Sequence, residues 1–218
     1  MNRPLLQLAL DHTRLDSALR DAQLLRNEVD IVEAGTILCL CAGNNAIRQL
    51  RRHCPGKIIV ADWKIADAGE ILAAQAFDAG ADWMTVICAA PLATIEKAHH
   101  LASQRKAKIQ IELFGNWTFS DARNWHSVGV RQVIYHRGRD AQACGQIWGE
   151  KDISCLKKLS DIGFAISITG GIVPADLPQF KDISVQAFIV GRALSGATRP
   201  RQAAQAFHTQ LTEIWGVA

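Results

Sequence analysis

A closed (β/α)8 barrel of the α/β class, forming one domain over residues 1–218, is the fold this sequence predicts. Three observations carry that expectation. Eight short β-rich apolar runs recur at intervals of roughly 20–35 residues, with helix-patterned segments between them. Strand–helix alternation with connections of this size favours parallel pairing, and eight such units favour closure over an open sheet. The length of 218 residues, 49% of them hydrophobic, suits one core of this kind, because such barrels fit into roughly 200–250 residues. A doubly wound open sheet is the alternative architecture.

In order, the runs are 5–10, 29–34, 58–61, 83–87, 109–113, 130–135, 164–168 and 187–190. Helical spacing is clearest over 68–79, 92–103, 120–127, 140–161 and 200–214. Thr13 with Asp16 resembles a capping pair beyond the first run, and Ser120 is placed to cap the helix after Trp117. Gly80, Gly129 and Gly163 stand where helices end, each just ahead of a run.

Composition removes several function classes. Lys and Arg number 24 against 21 Asp and Glu, a formal net charge of +3. That lacks the basic bias of a nucleic-acid surface, and Arg51-Arg52 and Lys157-Lys158 read as solvated helix faces. No apolar run reaches the roughly 20 residues of a bilayer span, and no basic-then-apolar export signal opens the chain. The expectation is a cytoplasmic protein with no nucleic-acid or membrane partner, its six cysteines reduced. Cys39 and Cys41 form a C-x-C pair without a second pair at zinc spacing, so they read as small buried thiols.

Chemistry in such barrels sits where strands end at the C-terminal face. The first run stops at Asp11 and the second carries Glu33. The third leads into Asp62-Trp63-Lys64-Ile65-Ala66-Asp67. The fifth carries Glu112, and the sixth ends in His136-Arg137-Gly138-Arg139. The fourth, ending at Ile87-Cys88, offers no charged group. Several charges on one rim are costly to bury unless they pair or bind a metal; a ring of salt bridges closing the mouth is the bland alternative. Thr169-Gly170-Gly171 and Gly191-Arg192 follow the seventh and eighth runs, where phosphosugar barrels hold phosphate. Glycine admits close backbone approach to an anion, and Arg192 can add charge-assisted hydrogen bonds. Glu33 and Asp62 are hard oxygen donors on neighbouring strands, and magnesium takes one or two such carboxylates. Lys64, two residues beyond Asp62, turns to the same side by strand alternation. Between acids it keeps its proton and suits stabilising an oxyanion. Asp67 falls in the first helical turn, and Trp63 faces away and packs.

These residues carry a family resemblance. The stretch 62–67 matches the D-x-K-x-x-D signature of the orotidine-monophosphate decarboxylase superfamily. Leu-Ala-Leu-Asp at 8–11, Val-Glu-Ala-Gly-Thr at 32–36, Gln-Ile-Glu-Leu at 110–113, Tyr-His-Arg-Gly-Arg-Asp-Ala-Gln at 135–142, Ser-Ile-Thr-Gly-Gly at 167–171 and Gly-Arg at 191–192 extend the likeness. Within the superfamily the chain resembles the 3-keto-L-gulonate-6-phosphate decarboxylase family. That resemblance implies magnesium-dependent loss of CO2 from 3-keto-L-gulonate 6-phosphate through an enediolate, giving L-xylulose 5-phosphate. It implies Mg2+ on Glu33 and Asp62, and phosphate on Gly171, Gly191 and Arg192. It places Glu112, His136, Arg139 and Thr169 around the rest of the site, with Asp11 and Gly170 counted among the substrate-binding positions. It implies a homodimer in which Asp67 reaches the partner's site. His136 is the proton donor in this scheme, through a bound water, since imidazoles titrate near neutrality; without the resemblance, a strand-capping histidine reads equally well. The rivals are 3-hexulose-6-phosphate synthase, which shares the metal and enediolate, the metal-free orotidine enzyme, which has a lysine where this chain has Glu33, and a silent phosphosugar-binding barrel.

Overall fold

In the computed structural model, residues 2–217 are described. Eight parallel strands close in sequence order, β1-β2-β3-β4-β5-β6-β7-β8. They are β1 Leu5–Leu10, β2 Ile31–Ala34, β3 Ile58–Ile65, β4 Trp83–Ile87, β5 Lys108–Leu113, β6 Gln132–His136, β7 Ala165–Thr169 and β8 Val185–Val190. The helices are α1 Leu15–Leu25, α2 Thr36–Ala42, α3 Asn44–His53, α4 Gly69–Asp78, α5 Leu92–Gln104, α6 Phe119–Ser127, α7 Arg139–Ala143, α8 Glu150–Ile162, α9 Arg192–Ser195 and α10 Pro200–Trp215, with a 3-10 turn at Pro174–Phe180. The closed sheet excludes the doubly wound alternative. No helix among the described residues is long and apolar enough to cross a membrane.

Period-two alternation sends one side chain in every two into the barrel. At its N-terminal end Ile31, Val60, Trp83 and Ala187 form a buried apolar cluster, with the Lys108 ammonium over the Trp83 ring. Above it lie the buried Gln7, Gln110 and Ser167, where Gln110 Nε2 donates to Ser167 Oγ. The acids come next, at the C-terminal mouth. Outward-facing strand residues and the inner helix faces make the main core, from Leu6 and Val32 to Phe207 and Leu211.

Local signals met mixed outcomes. Gly80, Gly129 and Gly163 do adopt positive φ, +105, +103 and +104, ending helices ahead of strands. The two caps fall elsewhere. Arg14, not Thr13, precedes α1 and makes no side-chain cap; Asp16 instead pairs with Arg14 and Arg20. Thr118, not Ser120, caps α6, in a box with Asp121. The segment expected as one helix over 140–161 breaks into α7 and α8, with Gly145 at φ +84 between them. Arg51 is no solvated charge. It is latched to Asp82 and to the carbonyls of Gly80 and Lys57, where it tethers α3 to the start of β4.

Candidate active site

The β3–β4 register shifts between Ala61, opposite Met84, and Ile65, opposite Val86. Asp62, Trp63 and Lys64 therefore stand across from the single residue Thr85, as a bulge that re-aims side chains. Lys64 has φ +46, a left-handed conformation uncommon for a side-chain-bearing residue. Lys64 does reach the side of Asp62, with Nζ to Oδ2 at 2.6 Å, but through this bulge and not through plain alternation. Trp63 packs against the core, as its place in the signature suggested. One buried hydroxyl fixes the turn: Thr85 Oγ1 accepts the Lys64 N–H at 2.8 Å and donates to Asp62 Oδ1 at 2.8 Å. Thr36, at the start of α2, donates its hydroxyl to Asp62 Oδ2 at 2.7 Å and accepts from Lys64 Nζ at 2.8 Å. Neither threonine stands out in the sequence. Thr85 lies on the strand without a charged group, where threonine reads as an ordinary β-former.

From Lys64 the contacts run around the barrel. Nζ meets Glu112 Oε2 on β5 at 3.1 Å. The other Glu112 oxygen faces His136 Nδ1 on β6 at 2.5 Å, and the Phe114 ring meets the imidazole edge-on. With Nδ1 engaged, Nε2 is the nitrogen left for a ligand. Glu33, on β2, accepts from Gln7 Nε2. At the rim Arg139 pairs with Asp11 at 3.6 Å.

Burial drives the electrostatics of these groups. It pushes the Asp62 carboxyl up, but the Lys64 charge and the hydrogen bonds from Lys64, Thr36 and Thr85 outweigh it, and the net direction is down. Burial pulls Lys64 down, yet the negative Asp62 and Glu112 carry it above its ordinary range, so it stays protonated. Glu112 is raised by burial and by Asp62, against the opposing pull of His136 and Lys64. Glu33 is raised well above the carboxylate range, by burial and then by the charges of Asp62 and Asp11.

One cavity of about 250 Å³ gathers these groups. Asp11, Glu33, Asp62 and Lys64 line one side, with Glu112, His136 and Arg139 facing them. Thr169, Gly170, Gly171, Gly191 and Arg192 line the remaining corner, beyond β7 and β8. Asp67 is the exception. It is exposed and lies two residues ahead of α4, not in its first turn, in a separate groove with Ile71, Thr94 and Lys97. The Cys39 Sγ donates to the Ala34 carbonyl, and burial pushes its thiol up to about 12. Cys41 is exposed, so the pair is not uniformly buried.

The donor set fits a magnesium ion. Glu33 and Asp62, both 6% exposed, sit on paired strands, and among the described residues no cation pairs with Glu33. Two hard carboxylates with room for water and substrate oxygens are what that ion takes. A cation held by them would offset the neighbouring negative charge of Asp62 and Asp11 that, after burial, raises Glu33. In chelator, therefore, Glu33→Gln is expected to stabilise the fold, by on the order of 1–3 kcal/mol. The sign follows from linkage. A carboxyl raised on folding binds more protons folded than unfolded, so wild-type stability falls as pH rises above the unfolded carboxylate range. Denaturant midpoints of both proteins between pH 5 and 8, roughly the range of maximal stability, check this; a variant less stable than wild type throughout would contradict it.

A closed barrel whose C-terminal mouth combines a carboxylate–lysine cluster with a glycine-and-arginine corner defines a class of phosphosugar barrel enzymes. The sequence matches the Orotidine 5'-phosphate decarboxylase / HUMPS family over residues 4–207, and the chain belongs to that family. It is 67% identical over 218 residues to 3-keto-L-gulonate-6-phosphate decarboxylase SgbH of Escherichia coli (strain K12), covering 100% of this chain and 99% of the relative. A ligand-bound crystal structure of KGPDC from Streptococcus mutans superposes with a TM-score of 0.96 at 44% identity, over 99% of this chain and 100% of that one. A crystal structure of 3-hexulose-6-phosphate synthase is further off, at TM-score 0.88 and 30% identity, over 94% and 99% of the two chains.

Proposed function

We propose that this protein decarboxylates 3-keto-L-gulonate 6-phosphate to L-xylulose 5-phosphate, with magnesium on Glu33 and Asp62. The observation that carries the reading is the unbroken line of contacts Asp62–Lys64–Glu112–His136, facing a cavity with an anion corner at its far end. The identity of 67% to a relative bearing the decarboxylase name, against 30% to a synthase, supports this branch over the aldol one.

The substrate is a β-keto acid. Breaking the bond to its carboxylate releases CO2, and the electron pair passes into the adjacent ketone to give an enediolate. Glu33 and Asp62 would hold the magnesium ion, which would supply Lewis-acid charge to the reaction. Lys64, held cationic between two acids, places a second positive centre at the developing negative oxygen, already oriented before the charge develops. Glu112 holds His136 by Nδ1, so that Nε2 serves a proton to the carbon that lost CO2, through one bound water. Arg139 and Asp11 at the rim orient hydroxyls, and Thr169 closes the space between the reacting carbons and the phosphate. Gly171, Gly191 and Arg192 hold the phosphate and so anchor the rest.

Asp67 has no part in its own chain's cavity, and the exposed apolar Leu40, Ile71 and Leu92 lie on α2, α4 and α5. Both features support a homodimer in which Asp67 completes the partner's site. Lys64→Ala and Asp67→Asn proteins, each inactive alone, are then expected to regain up to about a quarter of wild-type activity when mixed and exchanged, because one site per mixed dimer is intact. No recovery in confirmed mixed dimers would end the shared-site reading. Six free cysteines and a chemistry of central sugar acids suit a cytoplasmic location.

The direct test is incubation with 3-keto-L-gulonate 6-phosphate, with magnesium and with excess chelator. The expected result is CO2 and pentulose phosphate in the magnesium tube alone. Condensation of formaldehyde with ribulose 5-phosphate, without decarboxylation, would move the protein to the synthase reaction.

A further inference from the structure

Arg137 follows His136 at the end of β6, yet its side chain does not line the cavity. It lies in the neighbouring groove, beside Phe114 and Trp117. Its guanidinium stacks over the Trp148 indole, 4.7 Å from the ring centroid. Nε and Nη2 donate to the Gly170 carbonyl at 2.9 and 2.6 Å, and Nη2 reaches the Gly171 carbonyl at 3.5 Å. The Arg137 backbone joins the same junction: its N–H donates to the Thr169 carbonyl at 3.1 Å, and its own carbonyl accepts from Gln142 Nε2 at 2.7 Å. A β-carbon at Gly170 would stand 2.2 Å from that carbonyl, so no other residue fits there without displacement.

In a trans peptide the C=O and N–H point in opposite directions, and no peptide bond here is cis among the described residues. Drawing the Gly170 and Gly171 carbonyls back to the guanidinium therefore turns the N–H groups of Gly171 and Ile172 the other way. Gly170, Gly171 and Ile172 line the cavity and Arg137 does not, so amides turned away from the guanidinium turn toward the cavity. Gly170 and Gly171 have φ of +114 and +67, conformations that glycine allows but does not hold unaided. A cation on the carbonyl also polarises the peptide and strengthens its N–H as an anion donor.

We infer that Arg137, stacked on Trp148, is a positioning residue that aims the Gly171 and Ile172 amides as phosphate donors without itself touching the phosphate. The inference rests on the reading of the Gly171 and Arg192 corner as the phosphate pocket. Fixing the two-glycine loop from behind removes ordering entropy before the ligand arrives, so its effect belongs to binding. Arg137→Met keeps the apolar stem over Trp148 and removes the fork. Arg137→Lys keeps the charge as well, but cannot span both carbonyls.

The test is calorimetric titration of L-xylulose 5-phosphate and of unphosphorylated L-xylulose into wild type, Arg137→Met and Arg137→Lys, with the Gly171 amide followed by 15N–1H NMR. Wild type is expected to bind the phosphate ester far more tightly than the free sugar, with a downfield shift of the Gly171 amide proton. Arg137→Met should bind the ester at least about tenfold more weakly and lose that shift. Its KM should rise by the same factor, with kcat within about threefold of wild type. A role confined to fold stability would lower the melting point and leave the dissociation constant and the amide signature in place. Wild-type affinity in Arg137→Met, or in Arg137→Lys should the first variant not fold, overturns the inference. If wild type itself does not prefer the phosphate ester, the phosphate-pocket reading fails instead, and the two failures are distinct.

Discussion

Lys64→Ala is expected to lower kcat/KM for the decarboxylation by at least about 10²–10³-fold, the usual consequence of removing one preorganised donor from a developing oxyanion. The structure makes Lys64 more than one donor. Its ammonium is the shared partner of Asp62 and Glu112, and it bonds Thr36 as well. Glu112 in turn holds His136, so losing Lys64 should loosen the proposed proton donor along with the proposed oxyanion charge. A fold cost accompanies the kinetic one. Two buried carboxylates lose their cation, and breaking a buried pair costs about 3–5 kcal/mol, less whatever protonation recovers. Because the carboxylates of the variant take up protons on folding, its stability should fall as pH rises, relative to wild type. Steady-state kinetics with urea midpoints at pH 5 and 8, near the ends of the ordinary stability plateau, would separate the two effects. A folded variant within tenfold of wild type would remove Lys64 from the mechanism.

Asp62→Asn carries the second large effect. The amide matches the carboxylate in shape and can still accept from Thr85 or Thr36, so the fold should survive. The charge is gone, and with it one of the two hard donors. Turnover in magnesium should drop by about 10³-fold or more, equivalent to a barrier higher by several kcal/mol. The magnesium affinity measured by calorimetry should fall in step, as metal sites lose affinity when a ligand or its immediate support is altered. Full magnesium-dependent activity in this variant would sink the metal assignment. Comparison with Glu33→Gln is informative, because both changes cost activity but only the Glu33 change should raise stability in chelator. The distinction is electrostatic: Asp62 has a cation at 2.6 Å and Glu33 has none among the described residues.

Much of this was legible in the sequence because it is periodic. The eight runs, their parallel order and the polar groups at their ends follow from spacing and from the way barrel strands must exit. Twelve of the thirteen nominated site residues share one cavity for that reason. What escaped detection is not periodic. The bulge at 62–64 depends on the β3–β4 register, which no single strand reveals. Thr85 and Thr36 are ordinary strand and helix-start residues until the fold brings their hydroxyls to Asp62. The break between α7 and α8 runs from Gly145 to Gly149, two glycines inside a stretch whose spacing otherwise reads as helical. Arg51 looked solvated because its partner, Asp82, lies across a strand and a helix. Asp67 was nominated by the family signature alone, and within one chain it stands apart.

The apolar cluster of Ile31, Val60, Trp83 and Ala187 gives the barrel a floor, and that floor turns the cavity into a blind well. Whatever enters must leave by the same opening. In the proposed reaction two products share that route, a small neutral gas and a sugar tethered by its phosphate at the rim. The gas can slip past the tethered sugar, but the sugar cannot be replaced until its tether lets go. For the proposed reaction this geometry predicts that the gas leaves first and the sugar last, with the pace set at the lip and not at the depth where the bond breaks.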